Sequence, residues 1–456
     1  MLLFAMCLGV FIAQLDSQVV NLALRQIGIS LGTNVSALQW VMDSYNLCYA
    51  TLLLTGGTLG DLFGRVRIFV IGLALIVAGS ILCAVAPDTL TLIAGRALTG
   101  VGAALTVPTS LAILTVAYPD PKARTHAIGI WASCNGIAIA VGPTVGGLLV
   151  DAAGWRSIFA LSVPLCALAM VIAYWYVPES RDAKDRHLDP LGQFFAIVSL
   201  AALAFLTIEG PHGTWVSPMN VILALLFVAS GIAFVMVERN KPGAMVPLDL
   251  FRISQFNAAL AGAITMTFGM YAMLFLTPIY LQQQGGMSAF QVGLFLLPMS
   301  IAFIIVSQMS GWLDKLLGTR ILMTAGLGCM GLGLLLLTRI SVKPHLILIG
   351  SALLIIGIGL GLNTAPVNAV AVASVARQRA GTASGLVNTA RMIGATLGIA
   401  ILGAIFAVHA AAGSLQDAVT GLRLAYFGGA CAEFAGALIA VTFIRADAAR
   451  QTQARA

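Results

Sequence analysis

GGTLGDLFGRVRI, Gly56 to Ile68, lies between two long apolar runs and sets three charges, Asp61, Arg65 and Arg67, among glycines. A weaker copy, SGWLDKLLGTRI, runs from Ser310 to Ile321. Both carry Gly-x-Leu, then an Asp, a Gly and an Arg: Gly57, Asp61, Gly64 and Arg65 in the first, Gly311, Asp314, Gly318 and Arg320 in the second. A charged loop that recurs at matching points of two hydrophobic blocks describes a chain built from two related halves. Glycine permits a tight turn between closely spaced helix ends. An Asp at such an end can meet backbone N–H groups or a neighbouring Arg.

The blocks on either side are membrane segments by composition. Of 456 residues, 59% are hydrophobic and only 9% charged, where a soluble domain carries roughly 25% charged residues. Mean hydropathy is +0.99. These values exclude a soluble fold and predict an all-α polytopic membrane protein. The net charge of +7 is spread over loops with no basic, aromatic-interleaved stripe, which argues against a nucleic-acid partner. The seven Cys all fall in apolar runs and show no disulfide framework. No basic segment or cleavage site precedes the first apolar run, so it is expected to stay as a helix.

About fourteen spans of roughly 20 residues are predicted. Six centre near Val10, Leu52, Ala74, Leu105, Ala138 and Ala167, two near Leu203 and Leu226, and six near Met270, Ile301, Leu332, Leu360, Leu397 and Ala435. The organisation is therefore an N-terminal six-helix bundle (1–178), a two-helix insert with polar linkers (179–244) and a C-terminal six-helix bundle (245–456). Of the 24 Lys and Arg, seventeen fall on one side, among them Arg65, Arg67, Lys122, Arg181, Lys184, Arg186, Lys241, Arg320, Arg377, Arg450 and Arg455. Five, Arg25, Arg156, Arg339, Lys343 and Arg423, fall on the other, and Arg96 and Arg391 lie inside spans. The basic side is expected to be cytoplasmic, with both termini there. The longest charged loop is PESRDAKDRHLDP, Pro178 to Pro190. No loop is long enough for a soluble ATPase module. Gly326-x-Gly328-x-x-Gly331 lies within an apolar span with no strand before it, so it reads as helix-packing glycine rather than a dinucleotide site. The His are scattered, and neither H-E-x-x-H nor a G-x-S-x-G at a helix start is present, which argues against an enzyme.

Several spans carry polar groups that are costly in lipid. In span one, Gln14, Gln18 and Asn21, at i, i+4 and i+7, line one face that is expected to turn from lipid toward a cavity, and Asp16 lies among them. An Asp this deep costs about 2.5–3.5 kcal/mol on insertion scales, so it should face a cavity or a partner. It is either an anchor between helices or a proton carrier. Arg96, in span four, cannot shed its charge and needs a carboxylate or carbonyls; Asp16 is the obvious partner. In span two, Asp43 and Asn46 share a face, placed either at a solvated rim or in a site for cations or protons. In the second half, Met270 and Tyr271 sit in a Met/aromatic stripe that suits core packing or contact with varied ligands. Asn363 and Asn388 are candidate cavity groups. Arg391 either faces that cavity or snorkels to the cytoplasmic end. Glu433, in span fourteen, is a second proton site or an interhelical hydrogen bond.

Six plus six spans with the Gly57–Arg67 loop after span two resemble the major facilitator superfamily. The two-span insert resembles its fourteen-helix drug:proton antiporter branch. The likeness extends along the whole chain. Leu15-Asp16-Ser17-Gln18-Val19-Val20-Asn21 is similar to the branch's span-one motif, with Gln18 where Thr is usual. Arg96-x-x-x-Gly100-x-Gly102 is similar to its span-four motif. Gly142-Pro143-x-x-Gly146-Gly147 resembles the antiporter motif, which in the family marks exporters, and Trp155-Arg156-x-x-Phe159 follows it as in the branch. Gly381 to Arg391 is also branch-like.

The resemblance implies a bacterial inner-membrane antiporter that exports hydrophobic or cationic small molecules against protons. Its halves would rock about a midplane site. Asp16 and Arg96 would couple protons to that motion. Asp61, Arg65 and Arg67, with Asp314 and Arg320 in the second copy, would form the cytoplasmic gate. The coupling ion is the proton, no cofactor or metal is expected, and the protein is expected to be a monomer. An exporter of a single antibiotic or metabolite would look the same, and an importer is the remaining alternative.

Overall fold

In the computed structural model the described residues are all except 183–187, 211–216, 240–245, 377–378, 412 and 446–456; Lys184, Arg186, Lys241, Arg377, Arg450 and Arg455 therefore lie outside them. Among the described residues there are fourteen α-helices and no strand. They are α1 (Leu2–Leu31), α2 (Val35–Phe63), α3 (Arg65–Ala84), α4 (Thr89–Ala117), α5 (Pro121–Ala153), α6 (Arg156–Tyr176), α7 (Pro190–Glu209), α8 (Pro218–Arg239), α9 (Ser254–Gln283), α10 (Ala289–Leu317), α11 (Thr319–Leu337), α12 (Leu346–Ala373), α13 (Ala380–Ala410) and α14 (Leu415–Phe443). Each predicted span centre falls within its own helix. Thirteen of the helices are long and apolar enough to cross a membrane. The exception is α2, which carries Gln39, Asp43, Ser44 and Asn46 in its first half. Inside a bilayer only a helix satisfies its own backbone, so the helical assignment follows from the apolar composition.

Helix ends are set by local chemistry. Asn34, Asp88 and Asp120 cap α2, α4 and α5 by accepting from Ala37, Thr91 and Ala123 N–H at 2.8–2.9 Å. The bond from Thr91 holds the exposed Asp88 carboxyl below its ordinary range. The α2–α3 and α10–α11 breaks fall at Gly64 (φ 109°) and Gly318 (φ 84°), a backbone region closed to most side chains.

The chain divides into two compact units. The first comprises Met1–Leu203, Ile222–Met245 and Met287–Leu294; the second comprises Ala204–Val221, Val246–Gly286 and Phe295–Ala456. Both use the same glycine register to pack the helix after the charged loop. Counting from Gly64, glycines stand at 72 and 79; counting from Gly318, they stand at 326 and 333, the same intervals. A Cβ at Gly72 would meet Gly102 O at 2.8 Å and one at Gly79 would meet Gly95 O at 2.7 Å. In the second unit a Cβ at Gly326 would meet Gly359 O at 2.9 Å and one at Gly333 would meet Ala352 O at 2.8 Å. Small residues let membrane helices touch backbone to backbone. Gly331 packs against the Phe434 ring, and Gly328 meets nothing within 4 Å, so the dinucleotide-like triplet is indeed part of a helix.

A polar residue of the insert is hydrogen-bonded to α2 within the first unit. Gln193 of α7 donates to Thr51 O of α2 at 2.9 Å and accepts from Thr55 Oγ1. The outer faces of α7 and α8 expose Phe194, Phe205, Ile222, Leu225 and Ile232, as a lipid-facing surface should.

Candidate functional site

In the first unit Asp16 and Arg96 form an ion pair through Asp16 Oδ2 and Arg96 Nη1, with side chains 1% and 0% exposed. Two further contacts hold the guanidinium. Its Nε donates to Val41 O at 3.2 Å, and its centre lies 4.5 Å from the ring centroid of Tyr45. Tyr45 is itself fixed by donating to Ala13 O at 2.8 Å. Thus α1, α2 and α4 each supply part of the cage. A buried pair gains little over an apolar core, but losing one partner strands the other charge. The pair is also incomplete: Asp16 Oδ1 and Arg96 Nη2 are buried with no hydrogen-bond partner. Asp43 is fully buried on α2, not at a solvated rim, and its polar neighbour Asn46 is 1% exposed.

The rest of the span-one face has a different environment. Gln18 donates to Ser17 Oγ at 3.3 Å, and Asn21 donates to Gln18 O at 3.3 Å. Gln18 packs on α5, its Cβ 2.7 Å from where a Cβ of Gly142 would stand. Gln14 is half-buried and its carbonyl accepts from Ser17 Oγ. Gln18 is therefore a helix-interface residue, placed there because Gly142 leaves room for it. Gly146 likewise admits Val19 at 2.9 Å. Gly147 turns the other way, to the first turn of α10, where a Cβ would lie 2.7 Å from Phe290 Cα. Pro143 remains inside a continuous α5, and Thr144 donates to Gly293 O at 3.4 Å. Two turns on, the Asp151 carboxylate accepts from the N–H groups of Ala289 and Phe290 at 3.2 and 2.9 Å. Arg156 donates to Ala86 O at 2.8 Å while stacked on Trp155.

At the charged loop, Asp61 Oδ1 accepts from Arg65 Nε and Nη2 at 3.0 and 2.8 Å across the Gly64 break. Gly57 faces Pro108 of α4 at 3.7 Å. The Arg67 side chain is exposed, and it is its backbone N–H that is engaged. At this loop the residue the sequence reading missed is Glu179. Its carboxylate accepts from Val66 N and Arg67 N at 3.0 Å each, capping α3, and from Ser180 N at 2.9 Å. Arg65 N donates to Ser180 O at 2.9 Å, and Asp182 N donates to Asp61 O at 3.0 Å. The only signal was an acid directly after Pro178 at the end of span six. An acid at an α-helix N-terminus is favoured by the helix dipole.

The second copy does not rebuild this arrangement. Counted back from the helix break, Asp314 occupies the position of Gly60, one residue from that of Asp61. Among the described residues Asp314 and Arg320 form no ion pair with each other, and Asp314 Oδ1 has no hydrogen-bond partner. The one-residue offset turns the carboxylate about 100° around the helix.

In the second unit Arg391 is held inside the bundle: its Nη2 donates to Thr364 O at 2.9 Å and its carbonyl accepts from Thr267 at 2.7 Å. Asn388 is half-buried. Asn363 is 0% exposed and lies against Gly326 of α11, with neither side-chain polar atom hydrogen-bonded; it sits at a helix interface, drawn in by that glycine. Met270 and Tyr271 are both buried on α9. Glu433 is 0% exposed, and neither carboxyl oxygen has a hydrogen-bond partner.

Comparison with known proteins agrees with this architecture. Residues 6–399 match the family model described as Major Facilitator Superfamily. The chain is 39% identical over 406 residues to "Multidrug resistance protein Stp" of Mycobacterium tuberculosis, covering 89% of this chain and 75% of that protein. It is 32% identical over 410 residues to "Methylenomycin A resistance protein" of Bacillus subtilis, covering 90% and 88%. To "Drug efflux pump JefA" of M. tuberculosis it is 31% identical over 403 residues, covering 88% and 79%. A crystal structure of a peptide transporter, POT, superposes with a TM-score of 0.73 at 16% identity, covering 98% of this chain and 94% of that one; at that identity it shows the fold alone. The chain belongs to the major facilitator superfamily. It is a multi-pass bacterial membrane transporter for small molecules, not an enzyme.

Proposed function

We propose that this transporter exports hydrophobic or cationic drugs from the cytoplasm in exchange for protons. The names of the relatives, multidrug resistance and drug efflux, support export of such compounds. The observation that carries proton coupling is the Asp16–Arg96 pair, closed off from water yet with one carboxylate oxygen and one guanidinium nitrogen unsatisfied. An Arg keeps its charge at every accessible pH, so only the Asp can take up a proton. While the guanidinium is in place the carboxylate has its counter-charge; drawing α4 away from α1 would leave an unpaired buried charge, which a proton would neutralise. The carboxyl thus binds a proton in one conformation and releases it in the other, which is the requirement for exchange.

In this reading the bundles 1–178 and 245–456 alternate access, with 179–244 as linker and insert. Both termini lie in the cytoplasm, as the Lys and Arg distribution favours, and the transporter acts as a monomer. Asp61–Arg65, clamped by Glu179, secures the cytoplasmic gate in one state. The driving force is adequate: each charge crossing 100 mV supplies about 2.3 kcal/mol before any pH gradient is added. A second reading, a dedicated exporter of one antibiotic, is favoured by the two relatives named for methylenomycin A resistance. A resistance profile of overexpressing cells against dyes, biocides and antibiotics separates the two. Protection against several unrelated cations supports the broad reading; protection against a single compound supports the narrow one; and unchanged sensitivity to all of them overturns export.

A further inference from the structure

The only carboxyl of α14's membrane interior, Glu433, lies where α9, α11 and α14 meet. The carboxyl stands 2.7 Å from where a Cβ of Gly269 would be, and Leu334 of α11 crowds the same point. Glycines also stand one turn to either side on α14, Gly429 and Gly436, and Gly436 faces Thr265 of α9. The carboxyl is therefore enclosed by a seam of small residues along which α9 and α14 lie almost backbone to backbone. Fully buried, with neither oxygen hydrogen-bonded, it has no means of supporting a negative charge.

The charges on the surrounding helices do not change this. Helix α9 contains no Asp, Glu, Lys, Arg or His, and its nearest titratable group is Tyr271. On α11 there is Arg320, fourteen residues before Leu334, and the thiol of Cys329. On α13, Gly398 packs on Phe268 at this level; Arg391 is seven residues away, about 10 Å along the axis, and His409 lies about 16 Å in the other direction. On α14 itself the nearest cation is Arg423, about 15 Å away, with Tyr426 and Cys431 between or beside them and Asp417 farther off. An unpaired ionised carboxylate is far more costly here than a neutral acid with one unsatisfied O–H donor.

We infer that Glu433 is a second proton-binding site, separate from the Asp16–Arg96 pair, which holds its proton while the α9–α14 glycine seam is closed and releases it when the seam parts. An acid that served only as filler would be replaced without penalty by Gln or Leu. A carboxyl at a seam of glycines becomes wet when the two helices slide apart, and water is what lets it ionise. The carbonyl of Arg391 accepts from Thr267, two residues before Gly269 on α9, so movement of α13 is transmitted to the same place. With Asp16 in the first unit and Glu433 in the second, both halves of the molecule would carry a proton through the cycle.

The test is infrared spectroscopy of the full-length protein in lipid nanodiscs, following the C=O stretch of protonated carboxyl groups against pH. The wild type is expected to show such a band near neutral pH that is lost on alkalinisation. Glu433→Gln should lack this component, and Glu433→Asp should shift its frequency, which serves if the Gln variant does not fold. Asp43→Asn should leave it in place. A pH-sensitive band unchanged in both Glu433 variants overturns the inference, as does a Glu433 band that never titrates while the protein stays folded, the behaviour of a structural acid. The inference rests on the proton-exchange reading but fails separately. Normal pH-driven transport by Asp16→Asn would sink that reading, whereas an unaltered band in the Glu433 variants sinks only this one.

Discussion

The carboxylate of Glu179 holds the backbone N–H of Arg67 at 3.0 Å while the Arg67 side chain points to solvent. The charged loop is thus a four-part clamp. Asp61 and Arg65 bridge the Gly64 break, Glu179 caps α3, and the backbone of Ser180 and Asp182 ties the segment after α6 to both. Anything that moves this segment acts directly on the α2–α3 corner.

Glu179→Gln removes the negative charge and one of the two acceptors that serve Val66 and Arg67. The expected loss is about 1–2 kcal/mol of stability, in the range of a lost helix cap, read as a lower thermal midpoint of the purified protein. Maximal transport rate should fall with it. Arg67→Gln, which alters only an exposed side chain, should stay within about 0.5 kcal/mol of wild type. If Arg67→Gln proves the more damaging of the two, the clamp is misassigned.

Asp61→Asn should slow transport while leaving substrate affinity intact, because the Asp61–Arg65 pair secures a conformation rather than contacting cargo. Asp314→Asn should have a much weaker effect, since Asp314 has no ion pair with Arg320. Rate and half-saturation measured for both variants check this; equal losses would mean that the second copy gates as the first does.

Gly147→Ala would place a Cβ 2.7 Å from Phe290 Cα, against backbone that cannot yield without shifting α10. Such overpacking costs about 1–3 kcal/mol. Gly136→Ala, on the same helix but with nothing within 4 Å, should be tolerated within about 0.5 kcal/mol. Thermal unfolding of the two variants side by side gives the comparison; parity between them would show that Gly147 is not under packing constraint.

Arg96→Ala strands a buried carboxylate and should destabilise the protein by about 3–5 kcal/mol. Adding Asp16→Asn to it should recover a substantial part of that loss, because the second change removes the stranded charge. Arg96→Lys should not restore wild-type behaviour: an ammonium cannot serve Asp16, Val41 O and the Tyr45 face together. A double-mutant cycle on unfolding measures the coupling. Strict additivity would mean that the two side chains do not act as a pair.

Helix count, the two-unit repeat and the Asp16–Arg96 partnership were legible in the sequence for physical reasons. Apolar length dictates a span, and a deep Arg requires a carboxylate. The cage around Arg96 was not legible, since Val41 contributes a carbonyl and Tyr45 a ring face, neither of which leaves a charge signal. Glu179 and Asp151 were missed because each acts on a helix N-terminus remote in sequence, at separations of 112 to 139 residues. Gln18 and Asn363 were expected to line a cavity on polarity alone; Gly142 and Gly326 draw them instead into helix seams, a packing relationship that only the neighbouring helix reveals. Asp314 was matched to Asp61 by the likeness of the two loops, although it stands four residues before Gly318 where Asp61 stands three before Gly64.

The most direct test of the central claim is proton movement by Asp16→Asn. Purified protein is reconstituted in proteoliposomes with a pH-sensitive dye inside and challenged with ethidium under an imposed pH gradient, with wild type required to show ethidium-linked proton flux first. The account predicts that Asp16→Asn inserts normally, binds ethidium and moves neither protons nor ethidium in response to the gradient. Ethidium-linked proton flux at the wild-type rate in that variant would contradict it.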